Sequence, residues 1–316
     1  MSSIAYYTEI ATRTQFQKNM LERVHRVTII LEYLNHQSIL KNSLALKGSG
    51  AINLTIFNLP RLTEGIELDF CLPVDRETMM EYRNIINQEI MVFLAAHDYR
   101  INSKTKTNKS RDSWILQYKN NEGHNDQVEL KINYSHRNHI MNTERKPILT
   151  ELFNNQFTTQ ALSVIEVFAC KIADLLNSPN VIDLYDVNFM LNGVVIKQDH
   201  YDFLKKCIIF YLPIVSKSNV YNLDPAIING IGKPSMVQEL TPLMQKEKVF
   251  VLNSAKRRVR KFIKDLMILN EDEIKYLEKF KMGIYQPTLL FSREEIIDKI
   301  KFHPMALWKV EQNLKK

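Results

Sequence analysis

Between residues 13 and 36 the apolar positions Phe16, Met20, Val24, Val27, Ile30 and Leu31 recur at helical spacing, which predicts an amphipathic helix. The next stretch, "LALKGSGAINLTIFNLPRLTEGIELDF" (44–70), reads as strand, turn, helix, turn and strand. Pro60 sets the boundary before its second strand, since a proline disfavours helix in the residue before it. Residues 75 to 97 return to a helical pattern, starting near Asp75 with Glu77 in the first turn. "DSWILQYKN" and "DQVELKINYS" are β-rich runs joined by "NNEGHND", a hairpin signal. The first 140 or so residues therefore read as α+β with an antiparallel or mixed sheet.

The pattern changes after about residue 148. "TTQALSVIEVFACKIADLLNS" reads as a helix with an apolar stripe, and "VIDLYDVNFMLN" begins another. Residues 199–212, 243–268, 271–281 and 293–302 also have helical spacing, with little β signal between them. This predicts two domains: an α+β domain over residues 1–148 and a mainly helical one over 149–316.

Composition narrows the class. With 45% hydrophobic and 24% charged residues, the 316-residue chain has the balance of a soluble globular protein. No run of about 18 apolar residues is present, so no membrane span is expected. The N-terminus lacks the charged-then-apolar layout of a secretory signal. Three scattered cysteines, Cys71, Cys170 and Cys207, have neither pairing nor metal spacing and read as buried thiols of a cytoplasmic protein. The net charge of +7 is concentrated in "KTKTNKSR" (104–111) and "KRRVRKFIK" (256–264). Each run fits either a solvated surface or a contact with phosphate, and charge alone does not choose.

The candidate chemistry lies in residues 44 to 70. Gly48-Ser49-Gly50 leads into a helix and offers backbone N–H groups to phosphate oxygens. Glu67 and Asp69, at i and i+2, project from one face of the following strand. Two like charges there call for a compensating cation, and a divalent metal beside a triphosphate would supply it. His136 and His139 flank Arg137 but are too isolated to read as metal ligands.

"LKGSGAINLTIFNLPRLTEGIELDF", "LKINYSHRNHI" and "IEVFACKIADLLNSPNVIDLYDV" together resemble the signature of the AbiE-type nucleotidyltransferase toxins, the toxin half of an abortive-infection toxin–antitoxin pair. The likeness runs from about residue 18 to 212, in the family's order. It implies a nucleotidyltransferase fold, a role in phage defence, and Mg²⁺-dependent transfer from an NTP to an acceptor such as RNA or tRNA. A cognate antitoxin regulator encoded alongside is also implied. Gly48, Ser49 and Lys171 would contact the nucleotide. Asp183 and Asp186 would position it or assist proton transfer.

The departures fall on catalytic positions. Where the family has strand acids, this chain has Gly65, Glu67 and, on the later strand, Lys131; Ile182 replaces an arginine. Two readings follow. In the preferred one the site of this AbiE-type toxin or defence protein is degenerate; the alternative function that goes with it is a non-catalytic protein of this fold that binds nucleotide or RNA or serves as a subunit of a complex. In the other the site has slid by one pleat, with Glu67, Asp69 and Glu129 as metal ligands. The second requires the two strands to be antiparallel neighbours, so that both shifts run in one spatial direction. Lys131 weighs against it, because an ammonium beside the metal repels it.

Overall fold

The helix that the periodicity predicts from residue 13 is α2 (Lys18–His36), and residues 13 and 14 instead end a separate helix, α1 (Ile4–Thr14). The break comes at Gln15, whose φ is +63°, a region that stops a helix. The computed structural model describes residues 4–154, 156–217 and 221–315. Within them the chain forms two units.

The first unit runs up to Arg137 and adds Thr143–Leu162 and Pro242–Lys248. Its strands are β1 (Leu44–Leu46), β2 (Gly65–Phe70), β3 (Arg100–Ile101), β4 (Lys106–Thr107), β5 (Arg111–Lys119), β6 (Asn125–Asn133), β7 (Glu144–Pro147) and β8 (Thr158–Ala161). They make one mixed sheet in the order β3-β5-β6-β2-β1-β8-β7, with β4 beside β5. β5 and β6 form the expected antiparallel hairpin, and β1 lies antiparallel to β2. β2 and β6, however, are parallel. The boundary expected at residue 148 falls inside Thr143–Leu162, which stays with this unit because β7 and β8 belong to its sheet. The run beginning "TTQA" is therefore strand before it is helix: Thr158 and Thr159 are β-branched and suit a pleated strand, and β8 pairs with β1 through Leu46 and Ala161 and with β7 on its other side.

Alternation along β2 sends Ile66, Leu68 and Phe70 into the core with Val128, Leu130 and Ile132 of β6. The apolar stripe of α2, with Leu21, Val24, Val27 and Leu31 fully buried, is part of the same core. α3 (Leu40–Ser43) leads into β1, and α4 (Gly48–Ala51) follows it and widens into a single π-turn over Ile52–Ile56. α5 (Arg76–Ala96) begins as expected, with the Asp75 side chain accepting from the Thr78 N–H at 2.9 Å.

The second unit is helical: α6 (Val164–Asn177), α7 (Val181–Gly193), α8 (Tyr201–Val215), α9 (Lys233–Ser235), α10 (Leu252–Leu266), α11 (Glu271–Lys281), α12 (Glu294–Ile300) and α13 (Pro304–Leu314). Ser163 and Asn180 cap α6 and α7 with their side chains, and Asn270 with Glu273 forms a capping box on α11. The fold is thus α+β with a mixed sheet and a helical C-terminal region. Among the described residues no helix is long and apolar enough to cross a membrane. Cys71, Cys170 and Cys207 are all free thiols.

His25 on α2 yields a pH prediction. It stacks on Phe153 with ring centroids 4.7 Å apart and shares a 2.7 Å hydrogen bond with the Tyr7 hydroxyl. Burial, helped by the Arg26 charge, pushes its pKa from 6.5 down to about 4. The unfolded chain therefore takes up a proton below pH 6.5 that the folded chain refuses, and stability falls as the pH drops from 6.5 towards 4. His25→Phe should reduce the stability lost between pH 7 and pH 5 by about 2 kcal/mol, read from urea unfolding at the two pH values.

Candidate active site

The site is built on β2 and its two neighbours. Cα register places Gly65 opposite Glu129, Glu67 opposite Lys131 and Asp69 opposite Asn133. Glu67 and Lys131 are therefore about 5 Å apart at Cα, as adjacent strands dictate. All six residues lie on the sheet face away from Ile66 and Leu68.

Each acid has a lysine. The Lys131 ammonium lies 2.7 Å from the Glu129 carboxylate and 3.7 Å from that of Glu67. These three side chains are 31%, 39% and 44% exposed, so the cluster is open to solvent and its pairs add little stability. Asp69 differs: its side chain is 2% exposed, and the Lys47 ammonium reaches it at 2.7 Å. Lys47 directly follows β1, and its N–H donates to the Glu67 carbonyl at 2.9 Å, so its side chain crosses diagonally to Asp69. The Asp69 charge together with burial pushes the nearby Cys71 thiol up to about 12, burial being the larger cause.

The Gly48-Ser49 turn faces Glu67. Gly48 has φ +58°, and a Cβ on it would collide with the Glu67 carboxylate. Two side chains of the following segment hold the turn. Arg61 is 1% exposed and donates to the Ser49 hydroxyl at 2.8 Å, while Asn53 donates to the Ser49 carbonyl at 2.8 Å. Ser49 thus stands in the first turn of the α4 helix, the end of a helix that attracts anions.

Lys171, Asp183 and Asp186 come together in the second unit. The Lys171 ammonium lies 2.5 Å from Asp183 and 3.3 Å from Asp186, all three nearly buried. Asn180 fixes Asp183 further, accepting from its backbone N–H at 2.8 Å and donating to its carboxylate at 2.6 Å. Elsewhere in that unit Glu166 is fully buried and accepts from the N–H groups of Ile140 (2.9 Å) and Met141 (3.2 Å) and from the Tyr211 hydroxyl. Burial alone would raise its carboxyl; His139, 3.5 Å away, and these donors outweigh it and hold the group low. His139 is thereby accounted for as a core residue.

The donor set does not suit a pair of divalent ions. Gly65 offers no side-chain oxygen, and a Cβ there would lie 2.6 Å from the Glu129 carbonyl, so the two strands have closed on that position. Lys131 holds an ammonium between the two exposed carboxylates, and Lys47 already neutralises Asp69. Among the described residues no group of three His, Cys, Asp or Glu side chains converges to hold a metal. The slid site needs antiparallel strands, and β2 and β6 are parallel. The two shifts then run in opposite directions: Glu129 sits beside Gly65, four residues or about 13 Å along the strand from Asp69.

Residues 30–281 match the family model described as nucleotidyl transferase AbiEii toxin, type IV toxin–antitoxin system. The chain belongs to that family. It is also similar in structure to MenT4, the nucleotidyltransferase toxin Rv2826c of Mycobacterium tuberculosis H37Rv, with a TM-score of 0.59 at 15% identity. That likeness covers 95% of this chain and 98% of MenT4, and at such identity it bears on the fold. No curated protein matches the chain significantly.

Lys47 was the informative residue not singled out in the sequence. Its signal is its place two residues before Ser49, at the end of a strand that pairs with the acidic one. The Gly48 geometry generates a test. Gly48→Ala should cost about 2 kcal/mol or more, combining left-handed strain with the collision at Glu67. Adding Glu67→Ala should recover the collision part and leave the strain, as measured by denaturant unfolding of both variants.

Proposed function

We propose that this toxin-family protein has kept the family's phosphate seat but works without divalent-metal nucleotidyl transfer, as a protein that binds nucleotide or RNA phosphate. The observation that carries this reading is the Lys131 ammonium at 2.7 and 3.7 Å from Glu129 and Glu67. In a transferase, acids at such positions hold metal ions that neutralise the triphosphate. Here a cation fixed to the chain does part of that work, and the carboxylates serve to hold the cation. The Gly48-Ser49 turn supplies N–H donors to a phosphate, and Lys131 supplies a charge beside it.

An NTP is the ligand that family membership implies, and a cognate antitoxin is the implied regulator. RNA or tRNA as acceptor or partner belongs to this proposal. Lys171, with Asp183 and Asp186, is read as a structural ion cluster of the helical unit: two carboxylates around one nearly buried ammonium satisfy it without a ligand.

The test compares binding with turnover. The unmodified chain should bind a fluorescent NTP equally with Mg²⁺ or with EDTA, and release no pyrophosphate in the presence of tRNA and Mg²⁺. Lys131→Glu should weaken that binding about ten-fold by reversing a charge at the seat. Gly65→Asp should lower thermal stability, because its Cβ meets the Glu129 backbone. Mg²⁺-dependent pyrophosphate release by the unmodified chain, abolished by Glu67→Gln, would overturn the proposal.

A further inference from the structure

The basic run at 256–264 folds as α10, and its charges do not spread evenly around the helix. Ala255, Val259 and Ile263 are buried on one side. On the other, Arg257, Arg260, Lys261 and Lys264 line a groove of about 480 Å³ whose opposite wall includes Asp224. Asp265 is the second carboxylate of the groove, and it is engaged by Lys261 at 2.7 Å. Asp224 accepts from the Ala226 N–H at 2.8 Å as a helix cap. Arg260 is half-buried and held by the Asn229 side chain at 2.9 Å; its Nε, out of reach of solvent, has no acceptor among the described residues. Arg257 and Lys264 are exposed and form no ion pair among the described residues. Four cations thus face two carboxylates, both already engaged.

We infer that this groove on the helical unit docks the phosphate backbone of an RNA. Residues 257 to 264 span about 10 Å of helix, long enough to contact roughly two successive phosphates of a single strand. Arginines suit phosphate because their planar fork donates two hydrogen bonds to two oxygens. A membrane surface is a poorer occupant, because the apolar face of α10 is spent on the core and none is left to insert. An acidic peptide shares the charge, and it serves as an arm of the test. The inference stands on the second unit alone and does not rest on the transfer-site reading.

The experiment measures binding of the full chain to a fluorescein-labelled 20-nucleotide single-stranded RNA between 50 and 300 mM salt. Polyglutamate of equal charge and phosphatidylserine vesicles are the comparison probes. Arg257→Glu with Lys264→Glu should weaken RNA binding about ten-fold or more and reduce the salt slope by about 1.4, the value for two lost single-strand contacts. Lys275→Glu with Lys281→Glu, an equal charge change on α11, should leave both unchanged. If the first pair disturbs folding by circular dichroism, Arg257→Gln with Lys264→Gln gives the same reading with a smaller loss. No RNA binding by the unmodified chain, equal loss in the α11 pair, or polyglutamate or vesicles bound as tightly with the same dependence would overturn the inference. Fluorescent NTP binding, read separately on the groove variant, should persist and so keeps this test apart from the preceding one.

Discussion

The parallel pairing of β2 with β6 determines what the site of this protein can be. Register sets Glu67 against Lys131 and Gly65 against Glu129. Because side chains on a strand repeat every second residue, those four share one face and one end of the sheet, while Asp69 lies farther along. A single ammonium then falls between two exposed carboxylates. Had the strands been antiparallel, Asp69 and Glu129 would have drawn together and a displaced metal site would have been feasible.

Two lysines neutralise the acids, at different depths and with different consequences. Lys47 and Asp69 form a pair shielded on the Asp69 side, whose carboxylate is 2% exposed. That pair belongs to the scaffold: it ties the end of β1 to β2 and steadies the turn that follows. Lys131 is more exposed, and pairs of its kind contribute about 0–1 kcal/mol. Stability is therefore a weak reason for its presence. In the proposed function its position at a solvent-facing seat, beside a turn held by Arg61 and Asn53, serves a bound phosphate.

Much of this was legible in the sequence. The β5–β6 hairpin, the strand-turn-helix-strand order around Gly48, and the helix start at Asp75 follow from alternation, turn residues and capping. The resemblance in residues 44–70, 130–140 and the later "IEVFACKIADLLNSPNVIDLYDV" led to the family, and it marked Gly65, Glu67 and Lys131 as altered positions. Four features were hidden, three of them because they depend on a partner distant in sequence. The break at Gln15 rests on a left-handed backbone, which the spacing of apolar residues does not signal. β8 borrows its identity from β1, so "TTQA" merges with the helix that follows. The direction of β2 relative to β6 is a property of topology, which local periodicity does not encode. The closure of the two backbones at Gly65 is likewise visible only once the register is known.

The central claim is that a fixed ammonium has taken the place of divalent metal between Glu67 and Glu129. Titration of the nucleotide-bound chain with Mn²⁺, followed by electron paramagnetic resonance, tests it most directly. The account predicts that free Mn²⁺ signal is lost only to the nucleotide itself, with no added site on the protein. It also predicts that Lys131→Glu creates a tighter one by turning the cation into a third carboxylate. Stoichiometric Mn²⁺ uptake by the unmodified chain, lost in Glu67→Gln, would contradict it.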